Sequence, residues 1–236
     1  MADRDALIRS QYERDAERAE GFAPRMRALE KLFAHGWGED PWFGDAFMRE
    51  LERAARSGTV AALQDAGRAL LFDERFDELL AWLPKLEAST PDAREAIAVV
   101  RALVHVREGD NEGAAQLLHG LPDAEAVALH GLALLQLGQP DEAASRLEIL
   151  LAADALDEKG ELVPRLLPEA MPVLALFLTA CTTAAERHLA RGERDRAATL
   201  ALAARDALRR YETAEPSEGP SREEVGALLA RVAPQG

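Results

Sequence analysis

An all-α fold built from short antiparallel helix pairs follows from three observations. Ala, Leu, Arg and Glu dominate the composition, and all are strong helix formers. Apolar residues recur with a 3.6-residue rhythm rather than in alternation. The one β-branched run, IAVVRALVHV at 97–106, lies between helical stretches and reads as buried helix.

The elements follow in order. Residues 3–20 read as a charged helix with a weak stripe at Ile8, Tyr12, Ala16 and Ala19, interrupted by Gly21-Phe22-Ala23-Pro24. A second helix reaches about Ala34, HGWGEDPW at 35–42 is a loop, and a third helix spans 43–56. Thr59 is placed to cap the next helix, which carries Val60, Leu63, Gly67, Leu70 and Leu71. A turn at 73–75 leads into a helix with Phe76, Leu79, Leu80 and Leu83. Thr90-Pro91-Asp92 starts another, with Thr90 as cap and proline at the first position. Gly109-Asp110-Asn111 turns into a short helix ending near His119. Leu121-Pro122-Asp123 opens the most regular pair, 124–155, broken by Gly138-Gln139-Pro140. Residues 156–168 are irregular, and a long helix is expected from about Glu169 to Arg191, with Pro172 as the place for a bend. Gly192 turns the chain into a helix over 194–212. TAEPSEGP at 213–220 has linker composition, and Ser221-Arg222-Glu223-Glu224 reads as a capping box for a last helix to Val232. The expected domains are therefore 1–58 (N-terminal helices and an aromatic loop), 59–155 (helix-pair repeats), 156–212 (an insertion and a final pair) and 213–236 (linker and C-terminal helix).

Four of these segments share one register. A small residue stands at Gly67, Ala102, Gly131 and Ala185. Seven residues on is a turn at Glu74, Gly109, Gly138 or Gly192. Five further comes Leu79, Ala114, Ala143 or Ala197, and four more gives Leu83, Leu118, Leu147 or Ala201. Turn-to-turn separations are uneven, at 35, 29 and 54 residues, which implies a shortened helix at 111–119 and an insertion before the last pair. With Gly131, Gly138, Asp141-Glu142 and Ala143, the chain resembles the tetratricopeptide repeat (TPR) family over roughly 60–153 and 178–210. The large first-helix aromatic of that family is missing in every unit. The resemblance implies a TPR-like right-handed array, an α-α superhelix, with N-terminal capping helices. It also implies a concave groove lined by first helices, to which Arg68, Leu103, Arg107, Leu132, Leu135 and Gln136 would contribute. The family's carboxylate clamp draws on Lys and Asn; Asn111, in a turn, is the only Asn here, so that clamp is not expected.

Charge narrows the partners. The net charge is −14, and residues 59–168 hold 20 acidic against 9 basic side chains. Phosphate backbones and anionic membranes require concentrated basic surface, so neither nucleic acid nor membrane is expected. Arginine outnumbers lysine 25 to 3, a usage expected of a GC-rich bacterial genome. The first twenty residues are charged throughout, unlike a signal peptide, and the longest apolar run, 171–185, is too short for a span of about 20 residues, so a cytoplasmic place is expected. Cys181 stands alone in an apolar stretch and reads as an inert small hydrophobe.

No nucleophile elbow, metalloprotease helix motif or phosphate-binding glycine loop is present. His35, His105, His119, His130 and His188 are scattered; His105 and His188 hold equivalent inward places in their units. The chain is therefore expected to be no enzyme and to need no metal or cofactor. Phe33, Trp37, Trp42, Phe43 and Phe47 gather five of twelve aromatics within fifteen residues. They suit closure of the array's N-terminal end; as a partner anchor, the loop residues Trp37, Trp42 and Phe43 are the candidates. Three functional readings follow, in order: a scaffold binding a protein partner's peptide or helix; a regulatory or chaperone-like module holding a basic effector; a helical small-molecule sensor or enzyme, marked by a pocket joining His105, His130 and Arg107. Homo-oligomerisation through the N-terminal helices is compatible with all three.

Overall fold

The structure is a computed structural model that describes residues 10, 11, 14, 18, 56, 58–72, 74–86, 90–211 and 219–233. The N-terminal helices, the aromatic loop with Trp37, Trp42 and Phe43, and the linker at 213–218 fall outside the described residues. Packing divides the chain into two compact units, 1–97 and 98–236. Among the described residues the secondary structure is helical, with a single isolated bridge between Leu162 and Met171.

In the first unit, helix α1 starts as Thr59–Ala62, passes through a π turn at Leu63–Gly67 and continues as Arg68–Phe72. Its cap is Gly58, at φ 112°, and not Thr59, which is the first helical residue. That backbone angle is open chiefly to glycine, which decides the boundary. Helix α2 (Phe76–Trp82) ends in a 3-10 turn at Leu83–Lys85. Gly67 faces the α2 side: a Cβ there would lie 3.2 Å from Leu63 Cδ2 and 3.7 Å from the fully buried Trp82 ring.

Helix α3 (Pro91–Glu108) begins with the expected cap, Thr90 Oγ1 accepting from the Ala93 N–H at 3.1 Å, and its later turns belong to the second unit. There follow α4 (Asn111–Leu118), α5 (Ala124–Gln136), α6 (Pro140–Ala152), α7 (Val173–Ala190), α8 (Arg194–Arg210) and α9 (Arg222–Val232). From α4 onward each helix packs on its successor, and α7 also touches α5 and α9. Leu228 and Val232 of α9 close a core with Ala185 of α7 and Ala197 and Ala201 of α8. The Ser221–Glu224 capping box is formed.

One turn geometry recurs at four of the helix-to-helix turns and again after α6, at Asp154. Glu74, Gly109, Gly138 and Gly192 all have positive φ, between 56° and 84°. Each donates its N–H three residues back, and the residue after it donates five residues back: Arg75 to Leu70, Asp110 to His105, Gln139 to Leu134 and Glu193 to His188, at 2.8–2.9 Å. This is the Schellman helix stop, with one left-handed residue satisfying the last carbonyls. The next helix begins two residues on, at Phe76, Asn111, Pro140 or Arg194. The register around these turns is core throughout. Ala102, Ala114, Ala143, Ala185, Ala197, Ala201, Leu79, Leu118 and Leu147 are fully buried, and Leu83 nearly so. At Gly131 the reason for a small residue is explicit: a Cβ would meet Leu147 Cγ and Cδ2 at 2.5 Å.

The insertion between α6 and α7 is irregular but held. Glu125, 3% exposed, stands in the first turn of α5. Its Oε1 accepts the N–H groups of Arg165 at 2.8 Å, Leu166 at 2.7 Å and Leu167 at 3.0 Å. Arg165 in turn donates from Nη2 to Asp123 at 2.7 Å. Helix α7 starts at Val173 rather than near Glu169, because Met171 exchanges backbone hydrogen bonds with Leu162 and Pro172 takes the cap position.

Gly131→Ala is expected to lower stability by about 1–2 kcal/mol in urea unfolding, since the clash with Leu147 outweighs the helix-propensity gain of alanine. The cost should fall in a Leu147→Ala background, where the clashing atoms are gone. Glu125→Ala leaves two buried N–H groups, those of Leu166 and Leu167, and the part-buried one of Arg165 without their acceptor, and is expected to cost about 3 kcal/mol. Amide exchange at Leu166 and Leu167 should then accelerate before the helices open.

Candidate functional site

A cleft of about 800 Å³ opens between α4 and α6, with α5 as its floor. Ala115 and Gln116 of α4 form one wall, with His119 just beyond the helix. His130 and Leu134, one turn apart on α5, form the floor. The facing wall is α6, with Ser145, Arg146 and Ile149 along it and Asp141 and Glu142 at its N-terminal end. Small Ala115 leaves room where a larger side chain would reach across, and Ile149 remains 47% exposed at the rim.

Of the cleft's basic groups, His130 is buried, Arg146 half-buried and His119 exposed. His130 is 7% exposed and meets His119 edge to face at 6.0 Å. Burial pulls its pKa down, and the charge of Arg146 and the neighbouring His119 act in the same direction, so it is neutral near pH 7. Its Nδ1 is buried with no hydrogen-bond partner among the described residues. Arg146 donates from Nη2 to the Leu121 carbonyl, and its Nε is also buried and unpartnered. Burial lowers the Arg146 pKa too, yet a guanidinium stays charged. Glu142 stands one turn before Arg146, but no ion pair joins them.

The residues expected to line a groove are placed elsewhere. Leu103 lies in the interior at 8% exposure. Arg107 and Gln136 are exposed, and Arg68, Leu132 and Leu135 are half-buried. None of the six lines the cleft. Leu132 lies about 200° around α5 from His130, on another face. Of the trio His105, His130 and Arg107, only His130 reaches the cleft. His105 pairs with Asp110 at 2.8 Å across its own turn. Arg146 and His119 were not singled out from sequence. The usable signal was Arg146 itself, a charge flanking the buried stripe Ala143, Leu147, Leu150.

His188 is the other concentration of polar chemistry. It is 4% exposed, with Nε2 on Asp141 at 2.6 Å and Nδ1 on Glu193 at 2.5 Å. Beside it Arg187 donates to the Gly138 carbonyl at 2.7 Å. The contacts with Asp141 and Gly138 tie α7 to the turn between α5 and α6 and the start of α6. With both ring nitrogens held by carboxylates, His188 has no nitrogen left to move a substrate proton. Cys181 is fully buried, and burial pushes its thiol up to about 12, far from a reactive thiolate. Among the described residues no cluster of metal-ligating side chains occurs, and no helix is long and apolar enough to cross a membrane.

No protein-family model matches the chain, and no curated protein matches it.

The hydrogen bond to Asp141, then that to Glu193, raises the His188 pKa against the opposing effect of burial. A folded pKa above the unfolded one gives stabilisation that is full below about 6.5 and lost as pH rises through the folded value. His188→Gln should therefore be most destabilised relative to the unmodified chain near pH 6, and the gap should narrow toward pH 9 in parallel urea titrations. A gap independent of pH would remove the imidazolium from the account.

Proposed function

We propose that the helix pairs form a TPR-like right-handed array and that the chain is a non-catalytic, cytoplasmic protein-binding scaffold. The observation that carries this is the cleft between α4 and α6, which offers an apolar surface, a rim isoleucine and a guanidinium without a carboxylate partner among the described residues. Two of the nearby groups that could serve chemistry are engaged in holding the fold. Asp141 is bound to His188, and the Ser145 hydroxyl donates to the Asp141 carbonyl at 3.1 Å. A surface of this kind recognises a segment by shape and one or two polar contacts rather than by transforming it. The repeated turns and the α5–α7 and α7–α9 contacts support the array, since first helices stack in such folds.

Co-purification with the tagged full-length chain from its source cells tests the surface. Ser145→Trp fills the cleft from an exposed position, whereas Gln136→Trp alters the face expected from sequence to line the groove. The expected result is loss of captured partner with Ser145→Trp and retention with Gln136→Trp. Loss with Gln136→Trp alone moves the site to the groove, and retention with both removes the cleft.

A further inference from the structure

The geometry points to a ligand class for this cleft: a monocarboxylate on an apolar body, held by the Arg146 guanidinium above the His130–Leu134 floor. The inference rests on the cleft being a binding site, and not on its occupant being a protein.

Arg146 is positioned before any ligand arrives. Its Nη2 bond to the Leu121 carbonyl, 25 residues away, and its buried Nε fix the plane of the fork. Nη1 has no partner among the described residues and faces no ion pair. A part-buried cation without a counter-charge is costly, and a carboxylate is the group whose geometry fits a guanidinium. The second observation is His130, more than nine-tenths buried in the cleft floor, whose Nε2 has no hydrogen-bond partner among the described residues while its Nδ1 is buried and unpartnered. A neutral imidazole beside the guanidinium accepts or donates a hydrogen bond without adding a second charge.

The surrounding charges choose among anions. Asp141 and Glu142 stand at one end of the same cleft, and His188 already holds Asp141. A dianionic phosphate would meet these carboxylates with only one guanidinium to offset it, while a monocarboxylate matches Arg146 one to one. Leu134, Ala115 and Ile149 provide the apolar surface for the rest of the molecule. Glu142 is the internal competitor, one turn from Arg146 and of the same chemistry as the ligand.

The test is titration of the full-length chain with octanoate, followed by two-dimensional NMR of the His130, Ala115 and Ile149 signals, with octanol, octylamine and octyl phosphate as comparisons. N-acetyl-leucyl-leucine, with its free carboxylate, tests a peptide chain end as the source of the same group. Saturable shifts for octanoate or the dipeptide are expected, at least about tenfold tighter than for the alcohol, amine or phosphate ester. The tighter of the two acids identifies the source. Arg146→Met keeps the apolar stem and should abolish binding while circular dichroism shows the fold retained; Glu142→Gln, at an exposed position, should tighten it. Equal binding of octanol, binding unchanged in Arg146→Met, or no shift with either acid to the chain and to Glu142→Gln overturns the inference. Were both acids to fail while Ser145→Trp still abolished partner capture, the carboxylate would fall and the binding scaffold would stand.

Discussion

A residue in the left-handed region stops each of four helices and lets the next begin two positions later, and the remaining geometry of the helix pairs follows from that stop. Because the stop fixes where the second helix starts, it also fixes which residues of the two helices face each other. In the last two pairs the small residue seven positions before the turn meets apolar positions after it, Gly131 against Leu147 and Ala185 in one core with Ala197 and Ala201. At Gly131 and Leu147 the crossing is so close that a methyl group cannot be added. The same stop places the side chain four residues before the turn against the one just after it. In two pairs this position carries histidine facing a carboxylate, His105 with Asp110 and His188 with Glu193, where Schellman turns commonly carry an apolar contact.

Polar side chains join these pairs by taking up backbone groups that helix ends leave over. Glu125 gathers three N–H groups of the insertion. Arg187 reaches the Gly138 carbonyl, Arg210 the Leu151 carbonyl, and Arg222 the Leu208 carbonyl at 2.9 Å. Carbonyls at a helix C-terminus carry partial negative charge, which a guanidinium suits in both charge and donor number. The abundance of arginine in an acidic chain thus has a structural use inside the fold. Arg146 shares the pattern only in part, since its contact with Leu121 leaves one side of the fork to the cleft.

That difference separates the cleft from the rest of the polar network. His188, Asp141 and Glu193 look at first like an acid–base constellation, but the two carboxylates take up both nitrogens of the imidazole. This arrangement holds two helix pairs together and leaves the imidazole no free nitrogen. The cleft has the opposite character: few polar groups, incompletely satisfied, on an apolar floor. That character is the ground on which the proposed binding role rests.

Much of the fold was legible in the sequence. The four turn positions, the buried register around them, the Thr90 cap and the Ser221 capping box are all local consequences of residue type within a few positions. Glycine tolerance of positive φ and the 3.6-residue period act over a single helix end or face, so a linear reading captures them. Thr59 as a cap and Glu169 as a helix start were misplaced because the competing features, the φ of Gly58 and the Leu162–Met171 bridge, are conformational. The cleft was not legible, nor were the Glu125 clamp and the double hold on His188. Their partners lie 25 to 47 residues apart, at Leu121 for Arg146, at 165–167 for Glu125 and at Asp141 for His188. Sequence by itself determined where helices stop and which faces they bury, because those choices are made by neighbouring residues. Which charges end up satisfied, and which one is left facing an open surface, was decided only when tertiary packing brought distant helix ends together.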